Sequence, residues 1–162
     1  MIASRKLLIF GGLALAIWGM GYGIWYAVFI EHQTLDGIGS ALATTFMRTA
    51  ENKMTESQAA LAEAGARSFV YVRQVDAHGH WIGLGLLLLI LGIAFERVAF
   101  AEGLRKLLAI ALLSGAILFP LGVLAETWNR GIVPQAVAVA GSALVILGLA
   151  GTAWGFARKA DV

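Results

Sequence analysis

The sequence predicts an all-α membrane protein: residues 1–162 as one membrane domain, a four-transmembrane-helix bundle with an amphipathic periplasmic helix between helices 1 and 2. Three observations predict it. The 162 residues are 59% hydrophobic and only 14% charged, whereas a soluble domain carries about a quarter charged residues. Mean hydropathy is +0.80. The apolar residues also gather into four runs, each near the roughly 20 residues needed to cross the hydrocarbon.

The first run is Leu7 to Ile30, the second Ala77 to Phe95, the third Leu107 to Ala125 and the fourth Gly131 to Ala157. Lipid offers no partner for backbone N–H and C=O groups, so each run is expected to be helical. Arg5-Lys6 before an apolar stretch also resembles the start of a signal peptide. Leu7 to Ile30 exceeds the roughly 7–15-residue core of such a signal, and no small-x-small cleavage site directly precedes Glu31. A retained helix is therefore expected.

Basic residues near the helix ends set orientation. With alternating helices, Arg5, Lys6, Arg97, Arg105, Lys106, Arg158 and Lys159 fall on one side, with Glu96, Glu102 and Asp161. The short loop from Glu126 to Arg130 has one basic residue. The expectation is a multi-pass protein of the bacterial inner membrane, with both termini cytoplasmic and residues 31–76 periplasmic.

Within that loop, Ala43, Met47, Ala50, Met54 and Leu61 recur at helical spacing, while Arg48, Glu51, Lys53, Glu56 and Glu63 fall mostly elsewhere on the wheel. An amphipathic helix on the membrane surface, or capping the bundle, fits this pattern. It would pack on the bundle or serve as a docking surface. Asp36-Gly37 is expected to break the chain before it and Gly65 to end or kink it, with Phe69-Val70-Tyr71-Val72 returning to the second span.

Gly19 and Gly23, Gly79 and Gly83, and Gly151 and Gly155 make small-xxx-small steps that allow close helix approach. Pro120 should bend the third helix. Pro134 sits in the first turn of the fourth, where proline costs little. Trp81, Trp128, Trp25, Tyr22 and Tyr26 are expected to form an aromatic belt.

Several chemistries are excluded. The chain has no cysteine, so disulfides, thiolate metal sites, iron–sulfur clusters and covalent c-type haem are ruled out. A net charge of +2 without a basic tract gives no argument for nucleic acid. There is no nucleophile–base pair or phosphate loop. A transporter is disfavoured, because the doubled repeat usual in transporters is missing.

His32, His78 and His80 remain. Only 15 residues separate His80 from Glu96, about 22 Å of helix against a hydrocarbon core of roughly 30 Å. The second span therefore includes both histidines in its first turn. Ionisable residues there are expensive and point to function. His32 follows the first span at the same level and is expected to meet one of them. His78 and His80, about 200° apart on a helix, face opposite ways. Neutral imidazoles suit haem iron, copper or zinc. The metal candidates are His32, His78, His80 and Glu126. Glu31, Asp76 and Glu126 could each orient a histidine or complete a metal site, or be ordinary charged stops.

The segment His78-Gly79-His80-Trp81-Ile82-Gly83-Leu84-Gly85 resembles a helix of the haem-copper oxidase and nitric oxide reductase superfamily, in which a His-x-His pair ligates two haems from opposite faces. The chain also looks like short four-helix membrane proteins related to that catalytic subunit, with Phe119-Pro120-Leu121-Gly122 and Gly141 to Gly155 in keeping. A full catalytic subunit has many more helices and histidines. The resemblance therefore implies at most one b-type haem, with His32 and either His78 or His80 as axial ligands, or a site shared across a dimer. Two functions follow as expectations. One is a membrane protein binding haem b, or copper or zinc, through His80, His78 and His32 for electron transfer or sensing. The other is a non-catalytic accessory or assembly subunit of a larger respiratory-type membrane complex, or a homo-oligomer, with no cofactor of its own.

Overall fold

The computed structural model describes residues 3–158, which form five α-helices and no strand. Lys159 and Asp161, used above in the charge asymmetry, lie outside the described residues, as does the rest of 159–162. Helix α1 is Ala3–Tyr26, α2 His32–Ala50, α3 Met54–Ala94, α4 Glu102–Ala125 and α5 Ile132–Ala157. Four rods are long and apolar enough to cross a membrane, each containing one of the four expected spans.

Between the first and second spans the chain differs from expectation. No separate surface helix lies there. A π-helical turn at Ala27–Glu31 joins α1 to α2 without leaving helical backbone, so Ala3–Ala50 is one rod of 48 residues, about 72 Å long. Helix α3 is likewise continuous over 41 residues. The polar segment is thus an antiparallel hairpin made by the outward extensions of two spans.

Neither expected break occurs. Asp36-Gly37 lies inside α2 and Gly65 inside α3. A mid-helix glycine costs only about 1 kcal/mol relative to alanine, less than packing along a continuous interface can supply. Phe69 to Val72 lies within α3 and leads directly into the second span.

The reversal between α2 and α3 takes three residues. Lys53 N–H donates to Arg48 O at 2.9 Å and Asn52 N–H to Thr49 O at 3.0 Å. This is the paired pattern of a Schellman cap. Asn52 has φ of 58°, the left-handed conformation that asparagine tolerates better than most side chains. Arg48, Glu51, Lys53 and Glu56 tie the turn together with ion pairs of 2.9–3.1 Å. Hydrogen bonds from Lys53 and Arg48 hold the Glu51 carboxyl below its usual range.

Small residues bring the rods together. A methyl group on Gly85 of α3 would lie 2.7 Å from Gly12 O of α1, so these backbones touch directly. Gly115 and Gly141 make the equivalent contact between α4 and α5. Above the α1–α3 contact, Ala41 of α2 faces Ser57, Ala60 and Ala64 of α3, all buried. The chain thus forms two close pairs, α1/α2 with α3 and α4 with α5, joined where α4 packs on α3 and α1. The core at the join contains Leu8, Trp81, Leu88, Phe95, Leu112 and Ala116. Of the glycine steps expected from sequence, Gly19 and Gly23 pack on α3, and Gly155 packs on Val98 and Phe100, whereas Gly79 and Gly83 have open space beside them. Pro120 is buried within an uninterrupted α4, and Pro134 sits in the first turn of α5 as expected.

Two charged layers bound the apolar part. At the end bearing the termini, Arg5 pairs with Glu96 at 2.9 Å and Arg105 with Glu102 at 3.3 Å. The Glu102 carboxylate also accepts from Ser4 N–H and Oγ–H, satisfying first-turn donors of α1. At the other end, Arg73 Nε stands 2.8 Å from Glu126 Oε2. About 35 Å of α3 separates Arg73 from Glu96, close to a bilayer's hydrocarbon thickness.

Candidate functional site

The three histidines do not gather. His32 projects from the base of α2 with its side chain 87% exposed, its Nε2 3.3 Å from Asp36 of the same helix. Glu31, beside it in sequence, receives the Tyr71 hydroxyl at 3.1 Å, which places that level near Tyr71. His78 is seven residues further down α3, about 10 Å along the axis. The expected meeting of His32 with a histidine of the second span therefore does not occur: helical continuity through Ala27–Glu31 lifts His32 out of the level of the other two.

His78 and His80 do face different neighbours, as their spacing requires. His78 packs against α1, so that a methyl on Gly23 would be 2.9 Å from His78 Cδ2. Its Nδ1 is 3.2 Å from Gln74 O. His80 turns toward α4, its ring centroid 4.6 Å from that of Phe119. Both lie roughly 10 Å or less below the Arg73 layer, inside the apolar part of α3.

The acidic candidates serve other partners. Glu31 accepts from Tyr71, Asp76 lies 3.7 Å from Arg73, and Glu126 pairs with Arg73. Among the described residues no group of three or more histidine or acidic side chains is arranged to hold a metal ion. The ligand set His32, His78, His80 and Glu126 is thus spread over four separate environments.

Around the π-helical turn, a seam of polar side chains joins the two rods. Tyr22 Oη–H donates to Gln74 Oε1. Tyr26 is 2% exposed, and its ring packs 6.5 Å from Tyr71. Hydrogen bonding to Glu31 pushes the Tyr71 phenol above its usual value. Trp81 leaves the expected belt for the core: it is buried, with Tyr22 and Trp18 meeting it edge-on at 5.6 and 6.2 Å. Tyr26 is buried too, whereas Trp25 and Trp128 remain exposed.

Beyond the Arg73 layer the hairpin presents a surface that sequence reasoning mostly missed. Positions 34, 37, 38, 41, 45 and 48 of α2 face α3 or are half-buried beside it. Leu35, Gly39, Leu42 and Phe46 form an exposed stripe at alternating spacings of four and three. Met54, Leu61, Gly65 and Val72 form its counterpart on α3. At 100° per residue, both stripes leave the α2–α3 contact on the same side of the hairpin. Phe46 is 74% exposed. Glu63 and Arg67, paired at 2.7 Å, lie toward the other side. The hairpin therefore carries an apolar stripe on one side and the Glu63–Arg67 pair toward the other.

The fold thus defines a class, an all-helical protein with four helices of membrane-crossing length and hydropathy. Comparison with family models, with curated proteins and with solved structures finds no match to this chain.

Proposed function

We propose that the chain is a membrane-anchored accessory or assembly subunit of a larger membrane complex, with the α2–α3 hairpin as its docking arm. One observation carries this reading: Leu35, Leu42, Phe46, Leu61 and Val72 form an open apolar face beyond the layer of Arg73 and Glu126, where lipid tails would not cover them. Helical continuity supports it further. A contact at the tip is transmitted to the spans through rods without a flexible joint. The excess of Arg5, Arg97, Arg105 and Arg158 at the end bearing the termini supports a cytoplasmic placement of that end and a periplasmic arm in a bacterial inner membrane.

The test is the mass of the particle extracted in mild detergent. Wild type is expected in an assembly with other chains, and Phe46→Glu is expected to elute apart from them with unchanged helicity. Wild type running alone, or only with its own copies, contradicts the reading.

A haem b or a copper or zinc ion held by His80, His78 or His32 is the second reading. It is favoured by one observation, the depth of two imidazoles in the apolar part of α3, where ionisable groups are costly. An optical spectrum and metal analysis of the purified chain test it: a Soret band or stoichiometric metal supports it, and neither appearing ends it.

A further inference from the structure

We infer that the cleft between α3 and the start of α5 binds a phosphate-bearing anion at the edge of the membrane-crossing part. The cleft has a volume of about 440 Å³ and is lined by Phe69 and Arg73 of α3, Glu126 and Arg130 of the α4–α5 connection, and Gln135 and Ala138 of α5.

Its charge is unbalanced. Glu126 Oε2 stands 2.8 Å from Arg73 Nε, which matches one carboxylate to one guanidinium. Arg130 has no carboxylate within ion-pair distance among the described residues, and its one hydrogen bond is a long one of 3.5 Å to Ala66 O. It is nonetheless held in place. Its guanidinium carbon sits 4.1 Å from the Phe69 ring centroid, and that of Arg73 sits 5.0 Å from the same ring. The Phe69 ring lies beneath both guanidinium groups, and a planar fork of N–H donors matches phosphate oxygens. The first turn of α5 adds a partial positive charge, and Gln135 adds an amide.

Below these donors the wall changes character. Ala138 and Val139 continue down α5 along a helix that is apolar to its far end. A cationic rim above an apolar wall suits an amphiphile whose phosphate stays at the rim and whose chain follows the helix. The same rim also suits a free phosphate group.

The experiment uses the purified full chain in an uncharged detergent, with titration calorimetry as the readout. It is titrated with short-chain phosphatidylglycerol, phosphatidylcholine of equal chain length, and inorganic phosphate. Saturable binding of phosphatidylglycerol, weakened about tenfold in Arg130→Gln by loss of charge-assisted hydrogen bonding, supports a lipid headgroup. Inorganic phosphate binding with the same dependence on Arg130 supports a free anion at the same site. Gln135→Leu is expected to weaken binding less, and Arg67→Gln, outside the cleft, to leave it unchanged. The inference is overturned if no phosphate compound binds saturably, if phosphatidylcholine binds equally well, or if Arg130→Gln binds like wild type.

Discussion

Arg73 and Glu126 meet at 2.8 Å across the boundary between the spanning rods and the projecting hairpin, tying α3 to the end of α4. Glu126 is largely buried, so removing its charge leaves the guanidinium without its closest partner. Glu126→Gln is expected to destabilise the purified protein by about 2 kcal/mol, measured as a lower Tm in detergent. An unchanged Tm would show that the pair contributes nothing to holding the two helical pairs together.

Gly85 and Gly79 sit six residues apart on α3 and should respond oppositely. Gly85→Val places side-chain atoms against the Gly12 carbonyl, where even a methyl would be 2.7 Å away. Overpacking of this kind costs about 1–3 kcal/mol. Gly79 has nothing within 4 Å, and Gly79→Ala is expected to be neutral or to stabilise the isolated chain by up to about 1 kcal/mol. Thermal unfolding of the two variants side by side separates them.

Asn52 carries the left-handed turn at the hairpin tip. Asn52→Gly should be near neutral, and Asn52→Val should cost about 1–2 kcal/mol locally, since a β-branched side chain clashes in that conformation. Amide exchange at Glu51 to Met54 reads the difference: faster exchange is expected in the valine variant alone.

The same tip should be sensitive to acid. Hydrogen bonds from Lys53 and Arg48 hold the Glu51 carboxyl below its ordinary value of 4.5. A depressed folded-state pKa means that the contribution is present above pH 4.5 and is lost as pH falls through the lower, folded-state value. Exchange protection at the tip is expected to fall in that window in wild type and to show no such step in Glu51→Gln. Because these side chains are open to solvent at the hairpin tip, the effect stays local and global unfolding does not follow it.

How much of this could be read from the sequence depends on which force decides each feature. The spans were legible because hydrophobic length is a bulk property of each run. Opposite placement of His78 and His80 was legible because helical twist alone fixes it. The course of residues 31–76 was not. Asp36-Gly37 and Gly65 are breakers by local propensity, yet Ala41, Ser57, Ala60 and Ala64 let the rods pack closely enough to override them. Asn52 was the available signal for the true reversal. That error propagated to His32, whose level follows from the chain remaining helical past Ile30. Likewise, Arg130 lies far in sequence from Phe69 and Arg73, and only the packing of α3 against the α4–α5 connection brings them to one cleft.

A cysteine scan reports on whether a partner covers the hairpin, because the chain has no cysteine of its own. Single cysteines at Leu35, Leu42 and Phe46 on the apolar face, and at Gln33, Ser40 and Glu63 away from it, are treated with a membrane-impermeant maleimide in native membranes and again after purification. Apolar-face positions are expected to be shielded in membranes and reactive once purified, with the other three reactive in both. Equal labelling of both sets in native membranes would mean that nothing covers the face and that the hairpin is no docking arm.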